Sequence, residues 1–279
     1  MIPTAENGLL TVVLDGGGVA AGRVGGKAAT LDRLIGLGLP VPRCGVVTTD
    51  AYREFVSHPD LRDRIAQLRD GPAPGLEDID AARTSIDQLF LETPMPPGMT
   101  AAIIALVRDV GGGDRVAVRS SATAEDLSSA SFSGQYRTSL AVDPDDAERA
   151  VRLCWASLWH PAPIAYRRFH GMDEGVVAMA ALMMPMLQPT LAGVLFTEDP
   201  GHPSKLRIEM VEGLGESLVA GVRTPEVVTV DRDDLRDLAG KRAELGELAR
   251  IALSLEDEFG TSLDIEWAID HSTLSVLQA

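Results

Sequence analysis

The chain has 279 residues, 45% of them apolar, which is enough to bury a sizeable core as one large domain or two lobes. A formal net charge of −16 makes an acidic surface that repels nucleic acid and anionic lipid, so neither is expected as a partner. Two cysteines without a CxxC spacing, no apolar run of membrane-spanning length, and no basic-then-apolar leader in residues 1–6 point to a reduced, cytoplasmic, globular protein.

Residues 11–14 are a short apolar run with strand character. Glycines follow at 16, 17, 18, 22, 25 and 26, and 27–37 then reads as a helix with Leu31, Leu34 and Ile35 on one face. Gly38 suits its C-cap, and Pro40 and Pro42 follow. Residues 44–48 read as a strand and 50–56 as a helix. The stretch 61–109 is mostly helical and charged, broken at 71–75 and 94–98, and reads as a scaffold without chemistry of its own. Residues 115–119 form a strand that enters a loop rich in Ser, Gly and Thr, and 135–142 returns as a strand.

Residues 146–159 are helical, and Val151, Cys154, Trp155, Leu158 and Trp159 recur at helical spacing as a core stripe. Pro161 and Pro163 interrupt it, with a short helix resuming at 164–169. Residues 176–184 are a buried strand ended by Pro185, and 193–197, 206–211 and 226–230 are further strands. Residues 236–260 are helical, and 263–269 with 274–278 make a closing hairpin. Strands and helices mix without a regular βαβ alternation, so the expected class is α+β.

The glycine-rich entrance invites a dinucleotide-binding reading, but that motif needs a helix at once and an acid ending the next strand. Here the acid in that neighbourhood, Asp32, lies inside the helix. A P-loop fails as well, because position 21 is Ala and Lys27 is followed by Ala28. Two readings of Lys27 stay open on these residues: a turn before a helix, or an ammonium at a helix N-terminus facing a phosphate.

Val116-Ala117-Val118-Arg119-Ser120-Ser121-Ala122-Thr123-Ala124-Glu125-Asp126-Leu127, then Ala130-Ser131-Phe132-Ser133-Gly134-Gln135, resembles a phosphate-loop signature. It is that of the phosphoenolpyruvate synthase / pyruvate phosphate dikinase family, with details like those of phosphoenolpyruvate synthases and rifampicin phosphotransferases. Further segments match in the same order. They include Val24-Gly25-Gly26-Lys27-Ala28, Cys154-Trp155-Ala156-Ser157-Leu158-Trp159, Gly193-Val194-Leu195-Phe196-Thr197, Gly213-Leu214-Gly215-Glu216, Asp264-Ile265-Glu266-Trp267 and Leu277-Gln278-Ala279.

The resemblance implies an ATP-grasp fold of two lobes with the nucleotide between them. The first would be 1–187, with a phosphate loop at 119–138 and a helical insertion at 57–110; the second would be 188–279, with a metal-binding hairpin. It implies ATP and Mg²⁺ as cofactors. Lys27 and Arg119 would be the catalytic phosphate holders, Gly134 and Thr138 part of the covering loop, and Gln188 a contact at the adenine hinge Met184-Pro185-Met186-Leu187-Gln188. Glu266 and Gln278 would be metal ligands, Gln278 also touching nucleotide. The implied reaction sends the β-phosphate of ATP to a histidine, releases AMP, and passes phosphate on to a small-molecule acceptor.

The histidines at 58, 160, 170, 202 and 271 lack the family's phosphohistidine context, and the arginine that follows the Gln-Ala pair in the family is not in the sequence. A separate phosphohistidine domain or subunit is therefore expected. A carboxylate–amine ligase of the same fold, or a non-catalytic nucleotide-binding module, are the alternatives.

The hairpin gives a geometric expectation. A shared metal requires Glu266 and Gln278 on one face, hence directly opposite. In a regular ladder that pairs Asp270 with Leu274 and leaves His271, Ser272 and Thr273 as the loop. A two-residue loop at His271-Ser272 would instead turn Gln278 to the other face. The turn contains neither Gly nor Asn to decide, so the expectation of the three-residue loop rests on the metal site.

Overall fold

The computed structural model describes residues 10–71, 78–124, 136–173, 175–215, 218, 224–236, 238 and 242–279. Gly134, the segment from Ala130 to Gln135, Glu125, Asp126, Leu127, Glu216 and residues 1–6 lie outside them, as does most of the expected break at 71–75. The chain forms two compact units: Met1–Arg33 with Arg43–Met186, and Leu34–Pro42 with Leu187–Ala279.

The first unit contains β1 (Thr11–Val13), α1 (Ala21–Val24), α2 (Gly26–Gly36, which runs on into the segment grouped with the second unit) and β2 (Gly45–Val47). It continues through α3 (Thr49–Val56), α4 (Pro59–Asp70), α5 (Ile79–Glu92), α6 (Met99–Gly111), β3 (Val116–Ala122) and β4 (Thr138–Val142). It ends with α7 (Ala147–Ser157), α8 (Pro161–Phe169) and β5 (Met179–Pro185). The strands make one antiparallel sheet in the order β1-β2-β5-β3-β4. One face, carrying Val47, Val116, Val118, Ala122, Met179, Ala181 and Met183, enters the main core. There Phe55 stacks on Trp155 at 5.1 Å and on Phe90 at 5.8 Å between ring centroids. The stripe Val151, Cys154, Trp155, Leu158 and Trp159 is buried in this core, as its spacing required. Gly45 belongs here because a Cβ would stand 2.7 Å from Leu106 and Val110, so glycine lets β2 lie directly on α6.

Two arginines tie the helical segment down. Arg152 of α7 donates to the carbonyls of Phe90, Leu91 and Thr93 at the end of α5, and Arg168 of α8 to those of Leu68 and Arg69 at the end of α4. Cations are favourable at such ends, where the last carbonyls have no intrahelical donor. The helix that carries the stripe ends before Pro161 as expected, and the next one starts at Pro161 itself and not at 164. In a first turn the missing N–H has no partner to lose, and the ring presets the helical φ.

The second unit holds β6 (Leu191–Phe196), β7 (Lys205–Glu212), β8 (Glu226–Asp231), α9 (Ala243–Phe259), β9 (Asp264–Asp270) and β10 (Thr273–Gln278). Its antiparallel sheet has the order β10-β9-β6-β7-β8. Alternation divides it into two faces. Ile265, Trp267, Leu195, Leu206, Ile208, Met210, Val228, Leu274 and Val276 are buried on one, and α9, with Leu245, Leu248, Ala249, Ala252 and Leu255 buried, packs on β10. The other face carries Asp264, Glu266, Arg207 and Glu209, all half-buried or exposed. Gly193 permits the closest strand approach, since a Cβ would lie 2.0 Å from the Glu209 carbonyl oxygen. The segment after α2 joins this unit, where Val276 donates its N–H to the Pro40 carbonyl at 2.8 Å. With two antiparallel sheets and helices mixed through the chain, the class is α+β.

Candidate functional site

The start of α2 is pressed against the C-terminal end of β3. Gly25 sits at φ +78°, and a Cβ there would be 2.0 Å from the Ser121 carbonyl oxygen. The Ala28 N–H donates to Ser121 Oγ at 3.1 Å. Only glycine combines that backbone with that approach. Arg119 is two residues before Ser121 and therefore shares its face. Thr138 of β4 stands directly opposite Arg119, so those two side chains also project to one side. Lys27, half-buried, lies in the first turn of α2 on the helix end that faces this strand. Arg119 and Thr138 thus project from one face of the first sheet, and the α2 N-terminus, whose first turn carries Lys27, packs against Ser121 on that face. The pairing of Thr138 depends on a bulge: Val116 faces Val142, yet Val118 faces Ser139, so β4 carries one extra residue, with Ala141 at φ 52°. In a regular ladder Arg119 would face Ser139.

Cys44 lies close enough to Arg119 to feel its charge. Burial pushes the Cys44 thiol up to about 12, against a smaller lowering by the guanidinium.

What fixes α2 itself is a residue that the sequence reading treated only as an obstacle to a dinucleotide motif. Asp32, 1% exposed, accepts four backbone N–H groups: Asp15 at 3.2 Å and Gly16 at 2.9 Å on Oδ1, Gly18 and Val19 at 2.8 Å each on Oδ2. The amides of the glycine-rich loop therefore point at a carboxylate of their own chain. They are not a cradle for a nucleotide phosphate, which rules out the dinucleotide reading on geometry. A signal existed: an acid next to Leu31 in the buried stripe of a helix must find donors.

The two sides of the segment 125–135 are anchored. Before it, Thr123 donates its N–H to the Ala178 carbonyl, and Ala178 donates its N–H to Thr123 Oγ1, both at 3.0 Å. After it, Arg137 donates its N–H to Ser157 Oγ at 3.2 Å and pairs through its guanidinium with Asp87, which also meets His160 Nε2 at 2.8 Å. Asp87 is on α5, so this helix holds Arg137 on the C-terminal side of that segment.

In the second unit the hairpin corrects the expected loop. Thr273 pairs with Asp270, so the loop is the two-residue His271-Ser272, with φ 44° and 67°. That is a tight turn of the primed kind, whose twist matches the flanking strands. Leu274, Ser275 and Val276 then face Ile269, Ala268 and Trp267 in regular order, but Gln278 faces Glu266. Leu277 is the extra residue of a bulge that turns Gln278 back to the face of Glu266. The shared face is present; the route to it is a bulge and not a three-residue loop. Glu266 and Gln278 are both half-buried. Asp264, exposed at the start of β9, still has its carboxyl pushed up by partial desolvation.

Gln188 belongs to the second unit and is exposed; its N–H donates to Asp270 Oδ2 at 3.1 Å. Lys27, Arg119 and Thr138 belong to the first unit, and Gln188, Glu266 and Gln278 to the second.

The family description "Pyruvate phosphate dikinase, AMP/ATP-binding domain" matches residues 21–244. The chain belongs to this family. The matched span contains Lys27, Arg119, Gly134, Thr138 and Gln188 and stops before Glu266. Curated relatives extend over most of the chain. It is 35% identical over 91% of its length to a probable phosphoenolpyruvate synthase of Methanocaldococcus jannaschii, and 33% identical over 95% to a rifampicin phosphotransferase of Streptomyces sp. It is 32% identical over 92% to the prodigiosin synthesizing transferase PigC of Serratia marcescens. The chain spans 25%, 35% and 31% of these relatives respectively. As a member of the dikinase ATP-binding family it is an ATP-binding domain. Among the described residues no helix is long and apolar enough to cross a membrane.

Proposed function

We propose that this chain is the nucleotide-binding part of a Mg²⁺-dependent, dikinase-type phosphotransferase of the ATP-grasp kind, with lobes at 1–187 and 188–279 and the nucleotide engaged by both. Lys27 and Arg119 hold phosphate oxygens, with Thr138 and Gly134 contributing from the phosphate loop. Gln188 contacts the adenine. The observation that carries this reading is that a helix N-terminus with Lys27 in its first turn packs against Ser121, on the strand face from which the Arg119 guanidinium and the Thr138 hydroxyl project.

Glu266 and Gln278 fit Mg²⁺, since both offer hard oxygen donors from directly paired positions on the polar face of their sheet. Among the described residues no group of three or more His, Cys, Asp or Glu could hold a metal. Glu266 and Gln278 would hold the ion, with the remaining positions open to nucleotide phosphates and water, and it would supply charge neutralisation for the phosphate oxygens there.

The β-phosphorus of ATP is attacked by a histidine nitrogen of a separate domain or subunit. The bond from the β-phosphorus to the α,β-bridging oxygen breaks, and AMP leaves with that oxygen. The outer phosphate of the pyrophosphoryl-histidine goes to water, and the remaining phosphate to a small-molecule acceptor. Lys27 and Arg119 position and neutralise the chain of phosphates; no covalent step occurs on these residues. The expected location is the cytoplasm.

Calorimetry tests this. The wild-type chain binds MgATP, and Lys27→Ala or Arg119→Ala each costs on the order of 1.5–3 kcal/mol, as for hydrogen bonds to charged groups. Alone it converts little ATP; with a phosphohistidine protein it gives AMP. Absence of binding at millimolar-order nucleotide, where even a weak site of about 4 kcal/mol registers, sinks the reading. ADP release coupled to an amine would place the chain among the ligases.

A further inference from the structure

The hairpin turn between β9 and β10 is built from residues ill-suited to it. His271 and Ser272 both adopt positive φ, 44° and 67°, where Gly, Asn and Asp are the usual occupants. Such backbone persists only where the surroundings hold it, and it gathers where a site requires it. The surroundings here lead to Gln188. Asp270, the last residue before the turn, accepts the Gln188 N–H on Oδ2 at 3.1 Å and meets His271 Nδ1 through Oδ1 at 2.5 Å. Two residues beyond Gln188, Thr190 donates both its N–H, at 2.8 Å, and its hydroxyl, at 3.2 Å, to the Ile269 carbonyl. The segment from 188 to 190 is therefore strapped to the end of β9 at two successive residues.

We infer that Asp270 is a positioning residue for base recognition. By holding the backbone N–H of Gln188, it presents the Gln188 side-chain amide to the adenine of the nucleotide. The inference rests on the proposed role of Gln188. With its backbone donor committed to Asp270, Gln188 meets the base through an amide that offers one acceptor and two donors, a pattern that suits the adjacent donor and acceptor of an adenine edge. An amide whose backbone is anchored loses less freedom on binding than one on a loose loop. Asp270 does not touch the nucleotide. It acts through Gln188, at one end of a hairpin whose other end sets Gln278 against Glu266. One supersecondary element thus aligns both the base contact and the metal ligands.

The test titrates MgATP and magnesium tripolyphosphate, which lacks the base, into the wild-type chain and into Gln188→Ala, Asp270→Ala and Asp270→Asn. Asp270→Ala weakens MgATP about tenfold, the scale of one lost hydrogen bond, and leaves tripolyphosphate within about twofold. Asp270→Asn keeps a carbonyl acceptor and stays near wild type. Equal losses for both ligands in Asp270→Ala mean a merely structural role and overturn the inference. A loss in Gln188→Ala with none in Asp270→Ala also overturns it, while leaving the reading of Gln188 in place. No change in Gln188→Ala, or no MgATP binding by wild type, removes that reading and this inference with it. If Asp270→Ala does not fold, Asp270→Ser, too short to reach the Gln188 N–H, makes the same comparison.

Discussion

Replacing Asp32 by Asn probes the device that sets α2. The two side chains have the same shape, but Asn presents an NH₂ where the second carboxylate oxygen stood. Of the four N–H groups now bound, two keep an acceptor and two face a donor. Two lost charge-assisted hydrogen bonds at about 1.5–3 kcal/mol each set a ceiling of about 3–6 kcal/mol. The loop at Gly17 and Gly18 is exposed, so water recovers part of this, and the expected loss is about 2–4 kcal/mol. That is a large share of a domain stability of about 5–15 kcal/mol. Urea unfolding followed by fluorescence measures it, because Trp155 and Trp159 are buried in the same unit as Asp32. Asp32→Ala removes both oxygens and all four hydrogen bonds and gives a larger loss than Asp32→Asn. In variants that remain folded, MgATP affinity falls too, because Lys27 rides on α2. An Asp32→Asn protein within about 0.5 kcal/mol of wild type, the range of an ordinary surface change, would refute the argument.

Deleting Leu277 removes the bulge of β10 but places Gln278 directly after Val276, and so still opposite Glu266. Circular dichroism should show the fold retained and MgATP affinity should stay near wild type, whereas Gln278→Ala loses affinity; a loss in the deletion as large as in Gln278→Ala would count against this pairing. Stability should also decline in alkali. Burial raises Cys44 from 9.0 to about 12, so over that interval the unfolded chain has lost a proton that the folded chain keeps, and stability falls as pH rises. Tyr52, raised by burial as well, adds to the loss at the upper end of the interval. Urea midpoints at pH about 8 and about 10.5 measure the decline, and Cys44→Ala should lessen it; an unchanged slope in that variant would count against the assignment.

The sequence made the helices and strands legible wherever apolar period and punctuation agreed. The α7 stripe, the β2 and β5 strands and the closing hairpin all follow from spacing. It was silent where one residue decides a register. Neither Ala141 nor Leu277 announces a bulge, because neither residue type marks one and the extra residue shows only in the pairing on either side of it. The turn at His271-Ser272 was unreadable for a related reason, as its left-handed backbone is imposed by Asp270, Gln188 and the ladder. What holds the glycine-rich loop was not legible, because its partner, Asp32, lies a full helical segment away. The prolines separate α7 from α8 as expected; the start of α8 at 161 and not 164 was unreadable because proline is tolerated in a first turn.

The two bulges bear on any attempt to redesign this protein. Each sheet becomes more regular if its extra residue is kept but drawn into the ladder and paired, and regular ladders are what an idealising procedure rewards. Such a procedure would return two well-formed antiparallel sheets. In one, Arg119 would face Ser139; in the other, Glu266 and Gln278 would look in opposite directions. The redesigned chain would be a better example of its architecture and a worse container for a nucleotide. The irregular residues at 141 and 277 should therefore be held fixed while the rest of each strand is allowed to vary.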